Sequence, residues 1–277
     1  MSLADQIYIN NYNMMLKNGY WTVDDSLQWP DGEKVNVWNA FGIVNRYDLQ
    51  KEFPILTLRK INLFKAIDEI LWIWQKKSNN IADLGNHTWD RMADENGNIG
   101  KAYGYQLGVK HKYPEGEFDQ VDRLLYELKH NPSSRRMYAN MYNHSDLYES
   151  QIYPCAYSLT LGVEHGKLNG ILNQRSQEML VSNSWNVCQY AVLLTMFAYS
   201  CGYEPGELLH VISTAIVYDR NLPVLKEMVG LRQFDAPVFK VKKDIDFYEY
   251  DRDSFLLENY RFNNADFKIE RPIRIAM

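Results

Sequence analysis

Asn186-Val187-Cys188-Gln189-Tyr190-Ala191-Val192-Leu193-Leu194-Thr195-Met196-Phe197-Ala198-Tyr199-Ser200 is apolar around nearly every turn of the helix it would form. A helix that is apolar on all sides belongs in the middle of a large core. Ser182, Asn183 and Ser184 precede it and offer a cap for its first turn. Gly202 stands where a helix C-terminal glycine belongs. Something must cover this helix on every side, and the flanking sequence supplies it.

Tyr157 to Val163 and Leu168 to Gln174 read as paired strands joined through Glu164-His165-Gly166-Lys167. Val35 to Val44 reads as a further strand, with an Asp31-Gly32 turn signal ahead of it. Leu63 to Trp74 carries Phe64, Ile67, Ile70, Leu71 and Trp74 at the helical period. Leu3 to Leu16 has near-helical spacing, and Asp122 to Leu128 forms a helix ended by Asn131-Pro132. After Pro223 the chain turns charged and mixed, with short strands such as Val238 to Val241. The expected class is α+β, a sheet packed on at least one long buried helix. No repeat or linker divides the 277 residues, so residues 1–277 are expected to form a single domain.

Composition narrows the function. Apolar residues make up 46% and charged residues 23%, which suits a packed globular chain and not a disordered one. A net charge of −5 argues against broad binding to DNA or other nucleic acid, which needs a basic face. It leaves room for a local basic pocket. Cys155, Cys188 and Cys201 are too few for a disulfide framework, and no C-x-x-C pair marks a zinc site, so no metal is expected. Met1-Ser2-Leu3-Ala4-Asp5 lacks a signal-peptide pattern, and no apolar run approaches the roughly 20 residues that span a bilayer. The expectation is a cytoplasmic protein with no membrane partner.

Several residues are equipped for chemistry. Cys155 stands in Tyr153-Pro154-Cys155-Ala156-Tyr157, just before a strand. With arginines near, it would act as a thiolate nucleophile; otherwise it is a small apolar filler. Arg135, Arg136 and Arg175 carry planar forks suited to phosphate, though each taken singly also fits a surface ion pair. Glu69, flanked by Ile70, Leu71 and Trp72, is either a partnered core group or a proton-transfer group with a raised pKa. Trp89-Asp90-Arg91-Met92-Ala93-Asp94-Glu95-Asn96-Gly97, continuing to Gly100-Lys101-Ala102-Tyr103-Gly104, is rich in turn formers that let backbone approach a ligand. No dinucleotide or P-loop glycine pattern is present.

These pieces occur in a known order. Glu69-x-x-Trp72, Trp89-Asp90, Ala93-Asp94-Glu95-Asn96-Gly97 and Tyr103-Gly104 come first. Ser134-Arg135-Arg136, Pro154-Cys155, Gln174-Arg175-Ser176, Asn186 and Tyr218 follow. The set resembles the thymidylate synthase family over nearly the whole chain. That resemblance implies a central mixed sheet packed on the long buried helix, with the sheet forming a homodimer interface and the active sites shared. It implies 5,10-methylenetetrahydrofolate as cosubstrate and a pyrimidine nucleotide as substrate. Cys155 would add to C6 of the base, with Glu69, Tyr103 and Asn186 completing the catalytic set. Arg175, Ser176, Gln174 and Tyr218 would hold the nucleotide, and Arg135 and Arg136 would reach into the partner's site. Trp89, Glu178, Ile152 and Met92 would lie against the folate.

The sequence also departs from that family. Glu178 replaces an aspartate that contacts the pterin, Ile216 a histidine and Thr214 an aspartate. Met92 replaces a tryptophan, and Ala156 follows the cysteine where a histidine is common. Asp24-Asp25-Ser26-Leu27-Gln28 lacks the usual phosphate-binding arginine, for which Lys34 would have to compensate. Because misplacement by a methylene weakens hydride transfer, these changes predict a shifted paralogue. The expected activity is 5-hydroxymethylation of CMP, dUMP or dCMP, with ordinary conversion of dUMP to dTMP as the alternative and a catalytically inactive binding relative as a third reading.

Overall fold

The structure is a computed structural model and describes residues 1–274. In chain order the elements are α1 (Leu3–Asn18), β1 (Tyr20–Gln28), β2 (Lys34–Asp48), α2 (Leu63–Trp74) and α3 (Gly104–Gly108). A small hairpin follows, β3 (His111–Tyr113) with β4 (Gly116–Phe118), then α4 (Gln120–His130), β5 (Tyr138–Asn140), β6 (Ala156–Glu164) and β7 (Lys167–Glu178). The rest is α5 (Asn183–Ser200), β8 (Glu204–Tyr218), α6 (Leu222–Val229), the pair β9 (Val238–Val241) and β10 (Phe255–Glu258), and β11 (Ile273–Arg274).

Seven strands make one sheet in the order β11-β1-β2-β8-β7-β6-β5. Among the described residues only β7 and β8 run parallel in this sheet; its other pairings are antiparallel. The parallel pair needs a crossover, and α5 is that crossover. The sheet is therefore mixed, and α5 packs on β7, β8 and α2. Every residue of α5 from Val187 to Ala198 is buried. Trp74 of α2 meets Tyr190 and Phe197 edge-on at 6.3 and 6.0 Å, and Phe197 stacks on Phe247 at 4.4 Å. Each such side chain contributes about 2 kcal/mol by leaving water, and truncating Phe197 to alanine would cost roughly 3–5 kcal/mol.

Register sorts the two faces of the sheet. Directly opposed residues share a face. Ala139, Leu159, Leu172, His210 and Asn45 form one cross-strand row, and all five are buried. On the other face run Tyr138, Thr160, Ile171, Leu209 and Arg46, and beside them Asn140, Ser158, Asn173, Val211 and Val44. That face leaves Tyr138 52% exposed and Val44 61% exposed. Gly42 adopts φ +79°, a conformation other residues rarely take, and it breaks the alternation of β2. Phe41 is thereby turned out as well, at 75% exposure.

The outcome tracks the sequence reading closely for the helices and less so for the sheet. Leu63 to Trp74 and Val238 to Val241 match element bounds. The helix read from Asn186 begins at Asn183, and the strand read as Val35 to Val44 runs on to Asp48. β1 and the 15-residue β8 were not anticipated. Among the described residues no helix is long and apolar enough to cross a membrane.

Candidate active site

Cys155 sits at the mouth of β6, half-buried, where three segments meet. Its backbone N–H donates to the Tyr103 hydroxyl at 2.9 Å, and its carbonyl accepts from Arg175 N at 2.9 Å. The Arg175 guanidinium turns back over the cysteine. Nε donates to Pro154 O at 3.0 Å, Nη2 to Tyr153 O at 2.7 Å, and Nη2 lies 3.8 Å from the Cys155 sulfur. A fixed cation beside a sulfur favours its anionic form. The alternative of an inert filler cysteine describes Cys188, fully buried on α5 with its thiol pushed up by burial.

Tyr103 takes its place through strained backbone. Its φ is +48° with ψ −108°, a region that costs a non-glycine residue of order 1–3 kcal/mol. The next residue must be glycine, because a Cβ at Gly104 would stand 2.4 Å from the Ser78 carbonyl oxygen. This explains the Tyr103-Gly104 pair. Burial drives the Tyr103 phenol well above its ordinary pKa, so it stays protonated. Trp89 packs edge-on against Tyr103 at 5.4 Å and lies 5.7 Å from Trp72.

Glu69 on α2 is buried, and Trp185 Nε1 donates to its Oε2 at 3.2 Å. Loss of solvent raises the pKa of this carboxyl, and donors from Gln189, Trp89 and Trp185 oppose the rise. A carboxyl raised by burial and held by these donors is equipped for proton transfer. Asn186, in the first turn of α5, accepts from Gln174 Nε2 at 3.1 Å and donates through Nδ2 to Gln189 Oε1 at 2.9 Å. Gln189 Nε2 in turn donates to Ala66 O at 3.3 Å, and Gln174 Oε1 meets His210 Nε2 at 2.8 Å. His210 is fully buried, and burial lowers its pKa to about 3, so the ring is neutral.

The remaining candidates lie around this cluster. Ser176 and Glu178 end β7, opposite Thr214 and Ile216 of β8 in register. The Glu178 carboxylate accepts from Val181 N; burial pushes its pKa to about 7, with Arg59 opposing, and its Oε1 has no partner among the described residues. Tyr218 closes β8 and meets Trp29 edge-on at 6.1 Å. Met92 and Ile152 are half-buried against the core. Lys34 faces Asp25 at 3.8 Å, both exposed. Arg135 and Arg136 do not join the cluster. Both are exposed on the loop between α4 and β5, and neither closes an ion pair among the described residues. Trp185, Gln177, Gln189 and His210 were not singled out from sequence; polar Asn186 and Gln189, three apart on a largely apolar helix, were the available signal. Among the described residues no cluster of His, Cys, Asp or Glu could hold a metal ion.

A sequence model of the family described as thymidylate synthase matches residues 6–272. The chain belongs to the thymidylate synthase family. It is 42% identical over 269 residues to the thymidylate synthase of Bacillus subtilis subsp. natto, covering 94% of this chain and 96% of that one. The same identity and coverage hold for the thymidylate synthase of Bacillus phage phi3T. The solved thermostable thymidylate synthase A from Bacillus subtilis superposes with a TM-score of 0.92 at 37% identity, over 98% of this chain and 99% of that one. The fold is the thymidylate synthase fold, and the chain is a folate-dependent one-carbon transferase of that family.

The expectation of a pyrimidine nucleotide 5-hydroxymethylase is corrected by these relatives, which are thymidylate synthases by name across the same span. The geometry supplies the reason. The departures at Thr214 and Ile216 sit on β8 with their ladder pairing to Ser176 and Glu178 intact, and Glu178 is seated on the turn at Val181. The cluster of Cys155, Arg175, Tyr103, Glu69 and Asn186 closes without them.

Proposed function

We propose that this enzyme converts dUMP to dTMP with 5,10-methylenetetrahydrofolate as cosubstrate, working as a homodimer. The observation that carries the reading is the Cys155 sulfur 3.8 Å from Arg175 Nη2, in a chain 42% identical to thymidylate synthases over nearly its full length.

In this reading the Cys155 thiolate adds to C6 of the uracil ring. The C5–C6 double bond is thereby spent, and electron density gathers at C5 and O4, making C5 a nucleophile. Asn186 holds the base by its N3–O4 edge, and Glu69 holds or moves the proton exchanged near O4 and C5. Tyr103 keeps its proton and anchors the cysteine backbone. Arg175, Ser176, Gln174 and Tyr218 seat the nucleotide, with Arg175 serving both the phosphate and the thiolate.

The folate, when bound, supplies a one-carbon unit at the methylene level together with the hydride that completes the methyl group. Trp89, Ile152 and Met92 would line its ring system. The buried Glu178 Oε1, without a hydrogen-bond partner among the described residues, fits a donor on the pterin. Supporting the dimer are the exposed apolar residues Phe41, Val44 and Tyr138 of the outer sheet face. Large apolar side chains left exposed on one sheet face suit burial against a second copy. Exposed Arg135 and Arg136 then have a destination, the phosphate site of the partner subunit. The test is a spectrophotometric assay with dUMP and methylenetetrahydrofolate. Stoichiometric dihydrofolate with dTMP by mass spectrometry is expected; turnover without dTMP would overturn the reading.

A further inference from the structure

A buried row of side chains behind Asn186 has a direction. It starts at the Ala66 carbonyl, which can only accept. Gln189 therefore turns its Nε2 toward Ala66 O, at 3.3 Å, and its Oε1 toward Asn186. Asn186 must answer with Nδ2, at 2.9 Å, which sends its Oδ1 to the other side. There Gln174 donates from Nε2 at 3.1 Å, leaving Gln174 Oε1 to face His210 Nε2 at 2.8 Å. The Ala66 oxygen and the Glu69 carboxyl, both taking hydrogen bonds from Gln189, give the row its direction from one end, and His210 holds it at the other. The far end then requires His210 to carry its proton on Nε2. Its Nδ1 has no partner among the described residues, so the single ring proton is placed where it is used.

We propose that His210 is a positioning residue that fixes which end of the Asn186 amide meets the base, and so sets the preference for uracil over cytosine. The inference rests on the reading of Asn186 as the residue that contacts the pyrimidine edge. His210 is out of reach of solvent, on the core face of β8, diagonal to Gln174 across the parallel pair with β7. It acts through Gln174 and touches no substrate. With both ends of the row locked, Asn186 keeps one Nδ2–H and one Oδ1 lone pair in reserve. Gln177 Nε2 also approaches Oδ1, at 3.4 Å, but its shorter bond is to Ser182 Oγ at 2.7 Å. Uracil offers a donor at N3 and an acceptor at O4, which complement that pair. Cytosine offers an acceptor at N3 and a donor amino group. It fits only if the amide turns over, and turning it over would set Gln174 Nε2 against Asn186 Nδ2, donor to donor.

Removing the N–H at position 210 unlocks one end. Gln174 can then rotate, so turning Asn186 over no longer sets two donors face to face on that side and is opposed only at Gln189 Oε1, and discrimination between the two bases relaxes. The experiment measures dUMP and dCMP affinity by calorimetry for the wild type, His210→Leu, His210→Gln and Asn186→Ala, alongside nitrogen-15 NMR of the wild-type histidines. The wild type is expected to show the Nε2-protonated tautomer at His210. His210→Leu should lose about tenfold of the dUMP-over-dCMP ratio, the worth of one buried hydrogen bond. His210→Gln, which keeps an N–H at similar reach, should retain most of it. An Nδ1-protonated tautomer overturns the proposal whether or not the leucine variant folds. So does a folded His210→Leu protein with the wild-type ratio. If Asn186→Ala leaves the ratio unchanged, the underlying reading of Asn186 has failed. If Asn186→Ala loses the ratio and His210→Leu keeps it, only this inference has.

Discussion

Arg175 reaches Cys155 by folding back along the segment that carries the cysteine: the guanidinium donates to the carbonyls of Tyr153 and Pro154 at 2.7 and 3.0 Å, and the nitrogen on Tyr153 O also lies 3.8 Å from the sulfur. The cation is thus positioned by backbone on the same segment as the nucleophile, independent of substrate. Lysine could supply the charge but not the fork. Arg175→Lys should therefore lower kcat/KM for dUMP by roughly 10²-fold, as expected for misplaced catalytic groups. Steady-state kinetics with the dihydrofolate absorbance readout checks it; a variant within a factor of a few of wild type would show that charge alone suffices.

Cys155 should form a covalent adduct with 5-fluoro-dUMP in the presence of methylenetetrahydrofolate. Intact-protein mass spectrometry of the wild type and Cys155→Ser reads this directly. A persisting adduct in the serine variant would place the nucleophile elsewhere.

The exposed position of Arg135 and Arg136 makes a mixing experiment decisive for shared sites. Cys155→Ser and Arg136→Ala subunits should each be nearly inactive alone. Hybrids formed after subunit exchange should regain activity, since one of their two sites carries both intact residues. No recovery, with exchange verified by native mass spectrometry, would confine each site to one chain.

Glu178 sets a pH dependence whose sign is fixed. Burial raises its pKa from 4.5 to about 7. The folded state then holds this proton more tightly than the unfolded state, and stability falls as pH rises between those values, levelling off above them. At about 1.4 kcal/mol per pKa unit, the effect is roughly 3 kcal/mol. Glu178→Gln keeps an oxygen for Val181 N and cannot ionise. Its melting temperature should overtake that of the wild type by pH 8 and converge toward it near pH 5. Parallel thermal melts across that range would contradict the assignment.

Trp185 donates to the Glu69 carboxylate and so favours its charged form. Trp185→Phe should raise the Glu69 pKa further, moving the acid limb of the pH–rate profile to higher pH while sparing the alkaline plateau. Glu69→Gln should remove that limb and cost about 10²–10⁴-fold in kcat, the usual weight of a general acid–base group.

Most of the helical frame was legible because α2 and α5 write their burial into composition and period. β8 was not, for a physical reason. It lies in the middle of the sheet, with Leu208, His210 and Ile212 buried on one face and Leu209 and Val211 half-buried on the other. Apolar residues on both faces erase the two-residue alternation by which a strand is read. The chemistry of Cys155, Glu69 and Arg175 was legible only as options, since each needs neighbours distant in sequence. Gln174 and His210 are 36 positions apart, and Trp185 and Glu69 are 116 apart. The family motif order supplied what local pattern could not. It also tempted the reading too far at Glu178, Thr214 and Ile216, where a changed residue was taken for a changed reaction, while the relatives over the same span are thymidylate synthases by name.

The crossover through α5 has a consequence for how the chain reaches this state. β7 ends at Glu178 and its parallel neighbour β8 begins at Glu204, so α5 leaves the ribosome before the strand that covers it exists. Parallel pairing across so long a loop is intrinsically slow. During that interval a largely apolar helix is presented to solvent, a surface that invites chaperones or aggregation. Refolding yield should therefore be governed less by final stability than by how quickly β8 zips onto β7, and synthesis paused after residue 204 would expose the most vulnerable form of the molecule.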